Sequence, residues 1–533
     1  MNTEKIILEN RSFDAIRQWL SRRLKSCGIA DAQQQDTHAI FEELFAMLST
    51  PDSGFAGMTA QLSVSTGLTG TVIRLQFAGA RFVADYDAGG QNNPGLLILQ
   101  EYSDRIHFDY RRGVNTLTVA AKRRSNKLLY ASYAALGLAA VCYAVLSLLA
   151  GEGLRQTVTD VIGRLLQVFF DAVLLLSGPV TFFSIITNLT NCIVRIDHRV
   201  SFRSLLFSIL RTSVGAIVIA TGIYYAVGHL VPLQAVAVPG FSVGITQKVM
   251  QSIRDVIPES IFAVFTELSP LPLILTALVT AGAICTMDKY FTPMKTMTDA
   301  INDLNSRMLA LVMALQPAAT FLAVLDLLLR LRGQVVWLAL GVLGIAALSG
   351  LIMLLADFAE LAAGGIRPIP FFKKCLPALQ ETGRVNSCID AAPYLSQYMG
   401  RTFGIDRNLI RDQVRILTQI NLDGNCLMLT LITLLISLCS GQLLRPEQVV
   451  LIGLLVLGLS VGAPNQPGSV MVGMSILTRY LNVPGKYASS IVLLELVLGS
   501  AILFLNTFGV LQVIARIGRQ QGCFKGQVFK KQF

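Results

Sequence analysis

Asp423 lies in Gln419-Ile-Asn421-Leu-Asp423-Gly424-Asn425, with apolar sequence on both sides. A carboxylate at that depth in an apolar run is expensive and is usually functional. Asn-Leu-Asp-Gly-Asn also unwinds a helix readily, because glycine accepts positive φ and Asn and Asp hydrogen-bond to nearby backbone. An unwound turn exposes carbonyl oxygens, and carbonyls with one carboxylate suit a hard cation. The alternative is an Asp in a loop or in a structural hydrogen bond. A calcium loop does not fit, because the later ligand positions are apolar. Glu495 is a second acid inside an apolar run. It suits a cation or a proton; the alternative is a subunit contact or a buried neutral acid. Asp390 and Arg415 are charges for solute contact or for structure.

These residues need elements to hold them. A helix that crosses a bilayer needs about 20 apolar residues. Runs at 128–151, 172–194, 212–228, 271–287, 308–325 and 333–356 meet or approach that length. Three later runs carry polar interruptions: 416–444 at Asn421 and Asp423, 448–478 at 462–468, and 488–515 at Glu495 and Asn506. Residues 369–400 are only moderately apolar and contain Asn386-Ser-Cys-Ile-Asp390 followed by Pro393. Paired interrupted segments point to a transporter binding site. Irregular backbone at membrane depth persists only where protein or a water-filled cavity satisfies its polar groups. Two re-entrant hairpins are therefore predicted, near 370–400 and 448–478.

Composition agrees with a membrane chain. Of 533 residues, 53% are hydrophobic and 14% charged, against about a quarter charged in soluble domains. The net charge of +11 sits in short clusters beside the apolar runs, which suits lipid headgroups rather than nucleic acid. Basic residues mark alternate connections: Arg123, Arg124 and Lys127; Arg195, Arg199 and Arg203; Lys289 and Lys295; Arg367, Lys373 and Lys374; and Arg516 onward. This pattern puts both termini in the cytoplasm of a multi-pass inner-membrane protein. Arg330 and Arg332 run against it. The nine cysteines contain no CxxC spacing, which argues against a disulfide scaffold or zinc site. No apolar signal core opens the chain, so residues 1–125 are expected to stay cytoplasmic. The predicted domains are 1–125, a transmembrane domain over 126–515, and a basic cytoplasmic tail over 516–533.

The transmembrane domain resembles the dicarboxylate/amino acid:cation symporter family, which has the glutamate-transporter fold. Asn421-Leu-Asp-Gly-Asn425 is very close to the family's Asn-Met-Asp-Gly-Thr signature. Gly178-Pro179 with Phe182 to Ser184, Ile257 to Phe262, Asp299 to Asn305, Gln316 to Phe321, Pro377-Ala378, Ser387 to Pro393 and Gly462 to Gly468 follow the family's order. The resemblance covers roughly 130–515. It implies eight spanning helices with two re-entrant hairpins, a homotrimer, and elevator-type alternating access. It also implies a cation site of Thr212, Ser213, Asn421, Asp423 and Asn506, with sodium or a proton as coupling ion. Ser387, Cys388, Asn425, Pro467, Gly468 and Glu495 are the implied solute contacts. The family's nearby Tyr is replaced by Ile209. Gly499 stands at the amine-binding Asp, Ile502 at the carboxylate-gripping Arg, Leu503 at the neighbouring Thr and Val510 at a sodium-binding Asp. A buried side-chain carboxylate needs a bidentate cationic partner, and Ile502 cannot serve, which argues against glutamate or aspartate as the solute.

Residues 10–125 resemble the GHKL-type ATP-binding fold, in its anti-sigma-factor kinase branch. Phe41 to Met47 takes the place of the first conserved helix, and Asp85-Tyr-Asp-Ala-Gly-Gly90 resembles the nucleotide box. Residues 94–104 have helical spacing and 114–121 alternate like a strand. The resemblance implies an α/β two-layer domain with Glu43, Asp87, Gly89 and Gly95 at an ATP site. The magnesium-binding Asn is replaced by Ala46 or Met47, which argues against turnover. Three functions follow: a cation-coupled transporter of a small organic solute with a fused regulatory domain, a transporter-derived sensor, and a membrane-tethered kinase.

Overall fold

The computed structural model describes residues 2–8, 13–27, 29, 31–49, 55, 57–67, 70–80, 106–111, 113–121, 127–149, 151–195, 202–230, 257, 260, 262–331, 334–405, 407–438, 443–463, 468–481 and 488–520. It forms two compact units, Met1–Ser125 and Asn126–Phe533.

The first unit places two helices, α1 (Phe13–Ser26) and α2 (Asp31–Ser49), with five strands: β1 (Asn2–Ile7), β2 (Thr59–Gly67), β3 (Gly70–Ala78), β4 (Ile106–Arg111) and β5 (Val114–Ala121). The strands form one antiparallel sheet in the order β1-β2-β3-β5-β4. Alternate residues point inward, as period-two patterning requires: Leu62 and Val64, Ile73, Leu75 and Phe77, Leu117 and Val119. Helical spacing supplies Ile16, Leu20 and Leu24 from α1 and Ile40, Phe41, Leu44, Phe45 and Leu48 from α2 to the same core. The turn between β4 and β5 contains Gly113 at φ +78, a conformation that glycine adopts without strain. His38 is buried in α2, with Nε2 2.8 Å from Ser21 Oγ. Burial, and secondarily the Arg17 charge, lowers its pKa from 6.5 to about 4.

The second unit is helical: α3 (Lys127–Leu149), α4 (Glu152–Arg195), α5 (Phe202–Leu230), α6 (Ala263–Glu267), α7 (Pro270–Cys285), α8 (Phe291–Met313), α9 (Gln316–Leu331), α10 (Gln334–Ala363), α11 (Pro368–Val385), α12 (Cys388–Phe403), α13 (Arg407–Ile420), α14 (Asp423–Leu438), α15 (Pro446–Val461), α16 (Ser469–Tyr480) and α17 (Ala488–Gln520). Among the described residues, six segments are long and apolar enough to cross a membrane, or seven if α8 and α9 count as one bent span. Eight were expected. Most residues of Ile416–Leu438 are buried, whereas few of Leu128–Leu149 are. The first is therefore interior, and the second turns apolar side chains such as Leu148 and Leu149 outward, where lipid satisfies them.

The structure corrects four expected boundaries. The run 308–325 is not one helix: α8 and α9 meet at a 49° bend. Pro317, in the first turn of α9, has no N–H to continue the ladder, and its ring crowds the preceding turn. The run 172–194 is the second half of a helix that starts at Glu152, because charged residues on its first turns conceal its length. The run 333–356 continues past Asp357 to Ala363. The last helix is uninterrupted at Glu495 and Asn506 and runs to Gln520, since both side chains find partners on other elements.

Both expected hairpins are pairs of helices. Asn386, at φ 55, separates α11 from α12. Tyr398 Oη donates to Lys374 O at 2.6 Å; the two residues are equidistant from Asn386, so the helices run antiparallel. Phe371, Phe372 and Phe403 from this pair pack with Phe358 of α10 and Phe504 and Phe508 of α17. In the second pair, Gly468 starts α16 at φ +98. Pro467 lies outside the described residues.

Candidate cation and solute site

The helix carrying the Asn-Leu-Asp-Gly-Asn motif breaks for two residues. Asn421 N–H still reaches Leu417 O at 2.8 Å, Leu422 N–H turns to Ile420 O at 3.0 Å, and α14 begins at Asp423. The amides at the start of α14 have no partner within the helix. Asn506 Oδ1 on α17 accepts two of them, from Gly424 at 2.7 Å and Asn425 at 3.4 Å. Asn506 Nδ2 also lies 3.4 Å from Asn425 Oδ1. Two glycines let α17 come this close. A Cβ on Gly424 would stand 2.7 Å from Ile502 O, and one on Gly509 would stand 2.9 Å from Asp423 Oδ2.

The break faces the middle of α5. Ser213 Oγ donates to Asp423 Oδ1 at 3.0 Å, Asn421 Nδ2 donates to Asp423 Oδ2 at 2.9 Å, and Thr212 Oγ1 donates to Asn421 Oδ1 at 3.2 Å. Asn421 and Asp423 are 0% exposed. Among the described residues, no Lys or Arg bonds to Asp423. Its carboxylate is held by neutral donors alone, although burying an uncompensated charge is costly. Hydroxyl, carboxamide and carboxylate oxygens form a hard donor set that suits an alkali cation rather than a thiolate-seeking metal. All five expected cation-site residues thus meet at one place. Asn506 does so as a cap on α14, with its oxygen engaged by backbone.

The expected solute contacts divide into two groups along α17. Ser387 and Cys388 are buried at the tip of the first hairpin, where Cys388 Sγ lies 3.7 Å from Thr507 Oγ1. Asn425 joins them through its neighbour Asn506. Gly468 and Glu495 meet elsewhere. Glu495 Oε1 accepts Gly468 N–H and Oε2 accepts Met471 N–H, both at 2.9 Å. A rise of about 1.5 Å per residue puts the backbones of residues 495 and 507 roughly 18 Å apart. Glu495, expected as a solute contact, therefore closes the N-terminus of α16, where backbone N–H groups and the helix dipole favour an anion. Gly499 and Ile502 leave no charge between the two groups, and the side chains of Asp390 and Arg415 lie outside the description.

Several contributors had no sequence signal beyond a polar residue in an apolar stretch. Ser177 and Ser475 hydroxyls pair at 2.6 Å, and Asn188 Nδ2 donates to Val461 O at 2.8 Å, so α4 is tied to both helices of the second hairpin. Ser184 Oγ donates to Asn302 Oδ1 at 3.0 Å, tying α4 to α8. Arg330, which ran against the charge pattern, pairs with buried Asp326 at 2.8 Å.

Of the expected nucleotide-site residues, Asp87, Gly89 and Gly95 and the side chain of Glu43 lie outside the description. Nothing found supports the kinase-like resemblance of the first unit. Comparison with curated proteins finds no match. The Asn-Leu-Asp-Gly-Asn break and both helix pairs fall within residues 133–516, which match the model of the sodium:dicarboxylate symporter family, and the chain belongs to that family.

Proposed function

We propose that this membrane symporter moves a small organic solute, without a free ammonium or a second carboxylate, in company with sodium. Thr212, Ser213, Asn421 and Asp423 bind the cation, and Asn506 positions the break. A proton is the alternative coupling ion. The observation that carries this reading is the fully buried Asp423 carboxylate, held by neutral donors only. Such a group attracts a cation from water because no protein charge already compensates it. Ser387, Cys388, Asn425 and Thr507 border the solute, and Ile502 and Gly499 set its class. The second hairpin is the gate. Cation binding stabilises one conformation over the other, which coupling requires. Eight spans in total, a homotrimer, elevator motion and an inner-membrane location with cytoplasmic termini belong to this proposal. A regulatory role for the first unit, which has a hydrophobic core of its own, belongs to it as well.

The test is uptake into proteoliposomes containing the full chain, screened over radiolabelled monocarboxylates, dicarboxylates and amino acids. An imposed inward sodium gradient should drive accumulation of a monocarboxylate or similarly simple solute. Accumulation that is indifferent to sodium and to pH gradients would overturn the reading.

A further inference from the structure

Among the described residues, the buried acids of the second unit have partners, with one exception. Asp326 pairs with Arg330, Asp423 with Ser213 and Asn421, and Glu495 with two backbone amides. Glu381 is also partnered. Asp357 on α10 is 2% exposed and accepts no hydrogen bond among the described residues. The charged groups that act on it are the carboxylates of Asp423 and Glu360.

Its surroundings fix where it faces. Phe358, the next residue, packs on Phe508 with ring centres 6.0 Å apart. Phe508 precedes Gly509, whose missing side chain makes room for Asp423. Glu360, one turn along α10, takes Arg211 of α5 at 2.9 Å, Gln512 of α17 at 2.8 Å and Arg516 of α17 on a single carboxylate oxygen. Arg211 adjoins Thr212 of the cation site. Asp357 therefore lies on the buried face of α10 with Met353 and Leu361, within electrostatic range of both Asp423 and Glu360.

Among the described residues, Glu360 pairs with two guanidinium groups, those of Arg211 and Arg516. Glu360 absorbs both cations, which leaves Asp357 and Asp423 as like charges in a poorly polarisable interior. Such an arrangement is unfavourable unless something positive joins it.

We propose that Asp357 is a second acidic residue of the cation site, supplying with Asp423 the negative charge that a sodium ion neutralises. This rests on the proposed function and names a residue outside the motif. An acid serving only structure would have a partner, as the other described buried acids do. Asp357 has no such bond, and in its ionised form it raises the affinity of the Asp423 site for a monovalent cation.

The experiment is thermal melting of the purified full chain, titrated with sodium chloride against choline chloride at constant ionic strength. Wild type should be stabilised by sodium, since a ligand bound only by the folded form raises its stability. Asp357→Asn should melt at a higher temperature than wild type in choline, because like-charge repulsion is gone. Its apparent Kd for sodium should rise at least tenfold. Asp357→Glu, which keeps the charge, should stay within about threefold of wild type, and its retained response guards against misreading a folding defect. A Kd for Asp357→Asn within twofold of wild type, or a lower melting point in choline with the sodium gain intact, would overturn the proposal. If Asp423→Asn abolishes the sodium response while Asp357→Asn leaves it whole, this inference fails and the proposed function stands. If wild type shows no sodium response, this inference fails and the proposed function keeps only its proton-coupled form.

Discussion

Glu495→Gln isolates the contact that holds the second hairpin to the last helix. In the native protein both carboxylate oxygens accept backbone N–H groups, from Gly468 and from Met471, each at 2.9 Å. The ionised side chain presents an acceptor to each of the two amides. Glutamine keeps one acceptor and turns an NH2 toward the second amide. One hydrogen bond to a charged group is lost, worth ~1.5–3 kcal/mol, and the survivor loses its charge assistance. The favourable anion at the start of α16 is lost as well. The total is about 2–4 kcal/mol against the docked hairpin, which at ~1.36 kcal/mol per tenfold is roughly 30- to 1000-fold in opening. Amide hydrogen exchange by mass spectrometry on the full chain in lipid nanodiscs reads this directly. Peptides covering 468–476 should exchange at least tenfold faster in the variant, while peptides from α14 keep their rate. Unchanged exchange over 468–476 would refute the argument that Glu495 latches the hairpin.

Two glycines on α17 should respond unequally to alanine. At Gly509 the added Cβ stands 2.9 Å from Asp423 Oδ2 and 3.3 Å from Asn421 Nδ2, so Gly509→Ala should cost about 1–3 kcal/mol by overpacking and weaken sodium-dependent stabilisation at least tenfold. At Gly499 the nearest atom is Glu495 Oε1 at 4.0 Å, so Gly499→Ala should stay within about 0.5 kcal/mol; equal effects in a paired melting experiment would contradict the packing account. In the first unit, the pKa of His38 is depressed from 6.5 to about 4, so its contribution to stability is complete above pH 6.5 and is lost as pH falls to 4. Melting followed by Trp19 fluorescence in a Trp337→Phe background should show a midpoint that drops across that window, and drops less in His38→Gln; parallel slopes would count against the burial argument.

Particular residues show what was legible in the sequence. The break at Asn421-Leu422 was readable because Gly424 and three Asn or Asp side chains interrupt an otherwise apolar run, and such residues satisfy irregular backbone locally. Thr212 and Ser213 were reached through the family resemblance, and the structure sets both against the break. Asp357 was hidden by the same rule that found the spans. A charge at the end of an apolar run reads as the end of the helix, yet α10 continues to Ala363. Glu495 and Asn506 read as interruptions of the last span, but each bonds to backbone amides contributed by another helix, and no local pattern reports such a partner. The bend at Gln316 has no charge pattern to mark it, because the run around Pro317 is uncharged. The roles of Gly424 and Gly509 depend on a neighbouring helix, which spacing along one chain does not reveal.

The most direct test of the cation site is the melting temperature of Asp423→Asn against wild type as sodium replaces choline at constant ionic strength. Asparagine preserves the size of the side chain and the bond from Ser213 while removing the charge. Wild type should gain stability with sodium in a saturable way, and Asp423→Asn should gain none at any concentration that saturates wild type. A full sodium-dependent gain in the asparagine variant would contradict the account.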